Sequence, residues 1–596
     1  MDTSGQCRPG VPAGWRRLAP WMVAAGLAAC GGGGGDAPVQ QAQQQALSVS
    51  GGGAAAGDVQ ALAAASDAVR LAHQASFGPS TALVAEIGSQ GAAAWVRAQL
   101  VAGGSRYSSG GGDGIHRNVG EASFCDLPPQ SGNPNCWRDW YSSEPLLWDF
   151  YRNALGQPDQ LRQRVAFALQ QVVVISEVEL SGTYGLRNYH NMLLEQAFGN
   201  YRDVLRKVTL SPLMGDYLDH VNNDKEAPNE NFARELLQLF SLGTCKLNRN
   251  GTLQGGTCQP TYDNDTVRQY AYALTGWTYP AGGSTEWGCW PEGANCQYYG
   301  GDMVAAPALR NTAARRLLSG VNVPAGATAA QALEAVLDSI MNHGNLAPFV
   351  AQRLIQHLVL SNPSPAYVDR VAQAFLAGRY TPADGGAAVG TGNKGDLAAT
   401  VAAIVLDAEA RSERVARRSG GALRPPVLLF TGVLRALDGH TDGEPLGWWW
   451  GDTLRQHVFR PPSVFSFYPP QYPVAGTALV GPEFGIHNVN TAMERLNYLT
   501  YLLDWGGSEP SDDMPGATGT GVVLDRWVAM ADNAGALVDA LSQLVIGKRL
   551  PLGPRAQVVN AVAWWTRDRD PDNWRLNRAR TAAYLVLASP EYQVMR

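Results

Sequence analysis

The sequence predicts a mainly all-α protein: a large multi-helix globular body of two packed lobes, with loop insertions stapled by disulfides. Three observations predict it. Apolar residues recur at three- and four-residue spacing through most of the chain, while strand signals are few and short. The chain has 596 residues, more than one hydrophobic core usually organises. Six cysteines fall as close neighbours in Gly-, Pro- and Asn-rich stretches. Hydrophobic residues make up 45% of the chain, enough core material for most of it to fold. The expected lobes are residues 61–420 and 421–596, with a soft boundary near Ser419–Gly421.

In chain order, Asp67 is read as the cap of a short first helix, which Gly78-Pro79 then breaks. Residues 80–100 read as two short helices around Gly88, and residues 102–135 as a long loop. Helical patterning follows at Leu146–Leu155, Gln160–Ile175, Asn188–Phe198 and Asp203–Val208. Glu230–Leu242 is the clearest case: Phe232, Leu236, Leu239 and Phe240 share one arc, with Asn229 as N-cap and Gly243 as stop. Later helices are expected at Thr266–Leu274, Ala329–Met341, Pro348–Leu360, Pro365–Leu376, Asp396–Leu406 and Pro425–Ala436. The last are Asn490–Leu503, Ala534–Leu544, Pro554–Trp565 and Asn577–Ala588.

The N-terminus points to export. Arg16 and Arg17 precede the apolar run Leu18–Ala29, which is too short to span a bilayer but suits a signal peptide. The run ends in Leu27-Ala28-Ala29-Cys30, similar to a bacterial lipobox. Residues 1–29 are thus expected to be cleaved, with Cys30 lipidated and residues 30–60 a flexible Gly/Gln/Ala tether. By analogy, Gly31 after the lipidated cysteine suits an outer-membrane location. In an exported chain, disulfides are the expected state of the remaining cysteines. Neighbours pair most simply: Cys125 with Cys136, Cys245 with Cys258, Cys289 with Cys296. The formal charge of -6 makes nucleic acid a poor partner. The membrane contact expected is through the lipid alone.

Several segments carry a family likeness. They are Arg70–Pro79 (RLAHQASFGP), Pro228–Gly243 (PNENFARELLQLFSLG), Ala273–Trp277 (ALTGW), Ala347–Tyr367 (APFVAQRLIQHLVLSNPSPAY), Pro462–Tyr468 (PSVFSFY), Pro482-Glu483-Phe484 and Ser589–Tyr592 (SPEY). In this order they resemble the bacterial domain-of-unknown-function 1800 family, from about residue 67 to the C-terminus. The resemblance implies an exported, helical protein and no particular activity. Many members carry a His-Asp pair and a following Lys ahead of a short apolar stretch and a Gly. The matching stretch here, Arg310–Gly320, has neither the His nor the Asp. Either a site there is altered, or the segment is not catalytic.

No Gly-x-Ser-x-Gly elbow, phosphate loop or His-Glu-x-x-His helix occurs, which disfavours serine esterases, phosphate-loop enzymes and zincins. Three constellations remain. In the stretch Asp216–Glu235, oxygen donors ahead of a helix suit a hard divalent cation such as calcium, with Asp216, His220 and Asp224 as ligands. Asp216 and His220 would share a helix face at i, i+4. In the same stretch Glu230, Glu235 and Asp219 are the candidate catalytic carboxylates, with Asn229, Asn231 and Arg234 beside them. The competing reading is that Asn229 and Glu230 cap a helix and Glu230 pairs with Arg234. Histidines form the second set: His73, His190, His343, His357 and His487, with Arg353 one helical turn before His357. Of these, His190 and His343 are candidate ligand-binding residues. The third set is Trp448, Trp449 and Trp450, with Phe459, Phe465, Phe467, Tyr468 and Tyr472 nearby among prolines, able to stack on sugars, anchor a protein partner or seal a gap between lobes.

The leading expectation is an exported, lipid-anchored envelope or surface protein that binds an extracellular polymer or an envelope protein partner. The alternatives are a carboxylate- or metal-assisted polysaccharide hydrolase and a helical scaffold without a small-molecule site.

Overall fold

A computed structural model describes residues 56–112, 124–281, 297–412 and 421–596. Cys30, Cys289 and Cys296 lie outside the described residues, and with them the expected lipidation site and third disulfide. Contacts group residues 60–596 into one unit, apart from residues 1–59.

The body is mainly helical, and its helix starts follow local chemistry. Ser80, Asn200, Ser211, Asp263, Ser364, Asp396 and Asn533 each accept a backbone N–H of the first turn. Thr328 and Gln331 form a reciprocal capping box at the start of Ala329–Met341. Gly378 and Gly547 end their helices in left-handed geometry. The helix Leu397–Val405 is apolar all round and sits at the centre, with most of its side chains buried. Only three two-stranded antiparallel ladders occur among the described residues. Among those residues, no helix is long and apolar enough to cross a membrane. Disulfides join Cys125 to Cys136 and Cys245 to Cys258, the neighbour pairing expected for both.

Some expected boundaries move. The first helix runs Ala56–Ala75, so Asp67 is not its cap. Asp67 instead pairs with Arg411 at 2.7 Å. The break between the next two helices, Thr81–Gln90 and Ala92–Val101, falls at Gly91 and not Gly88, because Gly91 takes a φ of 82°. Gln160–Gln170 stops short of Ile175, and the buried Val172–Ile175 segment continues outside the helix. The helix expected to reach Leu242 spans Asn231–Gln238. Its end widens, with Phe240 N–H on the Glu235 carbonyl at 3.0 Å and Gly243 N–H on the Leu237 carbonyl at 3.1 Å.

The expected division near residue 420 is not a division of the core. One buried cluster runs from Ala68 to Tyr592 and draws on both sides of it. Segments far apart in sequence are stitched together. Ala422–Leu423 pairs with Val594–Met595, and Arg424 lies 4.1 Å over the Tyr592 ring. His73 Nε2 meets the Val545 carbonyl at 2.9 Å. At Gly78, a Cβ would come within 2.5 Å of the Gly432 backbone, so the first loop can cross the helix Pro426–Ala436 only as glycine.

Candidate functional site

The acidic stretch does not assemble as a cation site. The helix Pro212–Tyr217 ends before His220, so Asp216 and His220 do not share a helix face. The Asp216 carboxylate accepts from the hydroxyls of Tyr279 and Tyr299 and from Gln297 Nε2 at 3.1 Å. His220 is buried and stacks on Phe232 at 4.4 Å; burial pushes its imidazole down to about 3. Asp224 accepts from the Glu226 N–H at 2.8 Å. Among the described residues, no group of three or more His, Cys, Asp or Glu is placed to hold a metal ion.

The three carboxylates also have separate surroundings. Glu230 pairs with Arg234 at 3.1 Å and Arg268 at 3.4 Å. Asp219 is exposed and accepts from Asn231 at 3.3 Å. Glu235 is buried, and burial raises its carboxyl above the ordinary range while Arg234 opposes this. Asn229 accepts from the Asn231 N–H at 2.8 Å in a turn ahead of the helix, whose N-cap is Glu230 and not the expected Asn229.

The other candidates are dispersed. His190 is packed by Tyr107 and Phe459, and burial pushes it down to about 3. His343 Nδ1 accepts the Asn345 N–H at 3.1 Å in a turn. Trp450 is buried, whereas Trp448 and Trp449 are 49% and 46% exposed. Trp449 stacks on Trp450 at 5.0 Å, and the Arg460 guanidinium lies 4.3 Å over Trp448. The Arg310–Gly320 segment serves the fold: buried Arg310 donates to the carbonyls of Tyr272, Ala273 and Thr275, closing the end of the helix Asn264–Ala273.

A cavity of about 50 Å³ gathers what the linear stretches do not. Phe349, Arg353, Gln356 and His357 reach it from the helix Leu346–Leu358, where their spacing puts them on one face. Gln238 and Leu239 come from the end of Asn231–Gln238, and Gln171 and Val172 from the end of Gln160–Gln170. Ser466 and Tyr468 come from the Pro462–Tyr468 loop, and Glu483 from the turn Pro482–Ile486. Four of the seven family-like segments therefore meet at one place. Gln356 holds the wall together, donating to the carbonyls of Ser361 at 3.1 Å and Pro470 at 3.4 Å.

The electrostatics of this wall are unusual. Glu483 is 6% exposed, and its Oε2 has no well-aligned hydrogen-bond partner. Burial raises its carboxyl to about 7, against its own backbone N–H and the Ser361 hydroxyl, which favour the charged form. Tyr468, nearby, is held far above its ordinary value by burial and then by Glu483. His357 is pushed down to about 3 by burial, then by Arg353 and Arg164, so it is neutral. Arg353 falls to about 10 through burial and stays charged. It donates to Gln356 at 2.9 Å and, among the described residues, has no carboxylate partner. Ser466 is buried at a φ of 65°, a strained conformation for a residue with a Cβ, and its hydroxyl is unpartnered.

The Arg353–His357 turn was legible in sequence as a candidate. Glu483 was not: its three-residue segment carried a family likeness but no sign of burial. The family description "Protein of unknown function (DUF1800)" matches residues 70–594. The chain belongs to this family. No curated protein and no solved structure matches it.

Proposed function

We propose that this is an exported envelope protein, lipid-anchored at Cys30, that binds an extracellular polymer or envelope partner and holds one polar group of it in the Arg353–His357–Glu483 cavity. The observation that carries this reading is the convergence of four separate family-like segments on one cavity with a buried carboxyl and an unpartnered hydroxyl. Packing alone does not call for a guanidinium, a neutral imidazole and a carboxyl around an open space; each costs solvation that a hydrophobic filling would avoid. The signal-like N-terminus and the two disulfides agree with an oxidising compartment.

A second reading keeps acid–base chemistry. Hydrolysis by two carboxyl groups needs them about 5–9.5 Å apart across a cleft, and the cavity presents one, Glu483. Chemistry here would therefore run between Glu483 and neutral His357, not through Glu230, Glu235 and Asp219. Exposed Trp448 and Trp449 offer stacking surface for a polymer outside the cavity.

The test is capture from solution. The purified chain and its Arg353→Gln variant are compared on an array of acidic and neutral polysaccharides and in envelope pull-downs. Retention by the native chain and loss in the variant is the expected result. No retention of any polymer or partner by the native chain ends the reading. Anchoring is checked by mass spectrometry, which should find an acylated Cys30 as the first residue.

A further inference from the structure

We infer that the cavity is a carboxylate-binding site: Arg353 receives the carboxylate end group of a ligand, with Ser466 and Glu483 lining its seat. This rests on the cavity reading above and names its ligand class.

Charge balance argues first. Arg353 projects from its helix with only the neutral Gln356 and the Phe349 ring, 5.3 Å from its cation, as described partners. Buried Arg164 donates to the His357 carbonyl at 3.1 Å and likewise has no carboxylate partner among the described residues. An uncompensated guanidinium at a low-dielectric wall is costly, and an incoming anion relieves that cost. His357, neutral, adds no competing charge. Glu483, the one carboxyl in the lining, is largely in its neutral form below pH 7 and so behaves as a donor.

Free hydrogen-bonding capacity argues second. The Ser466 hydroxyl is buried and unpartnered, and Glu483, whose carboxyl has only its own backbone N–H and the Ser361 hydroxyl beside it, lines the same cavity. Polar groups more than nine-tenths buried are nearly always satisfied. An orphan hydroxyl at the cavity wall marks a place where a ligand's atom belongs.

Size and shape choose the anion. At about 10–15 Å³ for each water-sized group, the volume accepts roughly four such groups. That is a carboxylate with one or two carbons, not a whole sugar. A guanidinium fork matches a planar carboxylate in a bidentate pair. A phosphate dianion would call for a second cation, and no lysine lines the cavity. Phe349 and the 45% exposed Phe465 supply apolar surface for the attached carbons. The carboxylate can belong to a free small acid or to an acidic unit of a polymer.

The groups around Glu483 set the pH behaviour. Arg353, His357 and Tyr468 line the same cavity. Arg424, Arg495 and His487 line a small recess on its other side. Ionising Glu483 places a second negative charge beside the ligand's, so affinity declines as pH rises above about 7.

The experiment is isothermal titration of the full chain with acetate, D-glucuronate and polygalacturonate at pH 6 and pH 8. Methyl acetate and inorganic phosphate serve as controls. Acetate and glucuronate should bind at pH 6 and methyl acetate should not. Arg353→Gln should weaken acetate binding about tenfold or more, and Arg353→Lys less, because lysine keeps the charge but loses the fork. Glu483→Gln should bind acetate with little difference between the two pH values. Should Arg353→Gln fail to fold, the pH profiles of the native chain and Glu483→Gln decide. Failure of every carboxylate to bind the folded native chain at pH 6 overturns the inference, as does equal binding of methyl acetate or tighter binding of phosphate. Acetate binding without polygalacturonate binding supports a free acid as the ligand. Polymer capture that Arg353→Gln leaves intact overturns the inference while leaving polymer binding itself standing.

Discussion

Glu483 shows how a single side chain can couple the fold to pH. Its carboxyl sits at about 7 in the folded chain against an ordinary 4.5. Below pH 4.5 both folded and unfolded chains hold the proton, and the residue costs the fold nothing. As pH climbs from 4.5 to 7, the unfolded chain releases its proton first and stability drains away; above 7 the full cost is present. A gap of this size corresponds to about 3 kcal/mol at most. Glu483→Gln removes the titration, so the variant should be the more stable protein at pH 8, and the advantage should vanish near pH 4. Denaturant melts of both proteins at the two pH values measure this. An unchanged difference between pH 4 and pH 8 would mean that the buried carboxyl does not titrate as described. The four buried or cavity-wall histidines His190, His220, His357 and His457 lean the other way, each pushed down to about 3 chiefly by burial. Their stabilising contribution is complete above pH 6.5 and lost as pH falls toward 3, so acid rather than base is the direction in which these residues weaken the fold.

Elements here are defined by short-range chemistry and then trimmed by their neighbours. The helix Asn231–Gln238 begins just after an Asx turn at Asn229, but it ends four residues before the sequence pattern does, in wider hydrogen bonds. The apolar residues Leu239, Phe240 and Leu242 continue the periodicity because they are core, not because they are helical. The loop that follows is held by the Cys245–Cys258 bridge, a separation of 13 residues, and by Asn345, whose side-chain amide donates to the carbonyls of Leu242 and Cys245. Closing a loop of this length contributes about 3 kcal/mol by restricting the unfolded chain. The double variant Cys245→Ser, Cys258→Ser should therefore lower stability by about 2–4 kcal/mol. Because no residue of this loop lines the cavity, the same variant is a useful control: it should retain acetate binding while it remains folded. A stability equal to that of the native chain under oxidising conditions would show that the bridge does not form.

At the scale of the whole molecule, the last residues hold the first. Tyr592 is fully buried and packs under Arg424, and the strand Val594–Met595 that follows it pairs with Ala422–Leu423, just past the expected lobe boundary. Arg424 also contacts His73 of the first helix at 3.2 Å. Tyr592→Ala should cost about 3–5 kcal/mol, the range for emptying a buried aromatic site. The loss should appear in the main unfolding transition followed by calorimetry, because the core is continuous. A separate early transition confined to the C-terminal third would instead restore the two-lobe picture.

What the sequence by itself determined was local: the helical class, most helix positions and two neighbouring disulfides. Capping, periodicity and short loops act between residues a few positions apart, so they can be read without knowing the fold. Tertiary structure alone decided that the acidic stretch would be parcelled out among tyrosines, a turn and ion pairs, that the core would run through residue 420, and that Glu483 would stand with Arg353 in a cavity. Each of those outcomes depends on which distant segments arrive and on how much water they exclude. A carboxyl's charge state follows from that exclusion, which no nearest neighbour in the chain records.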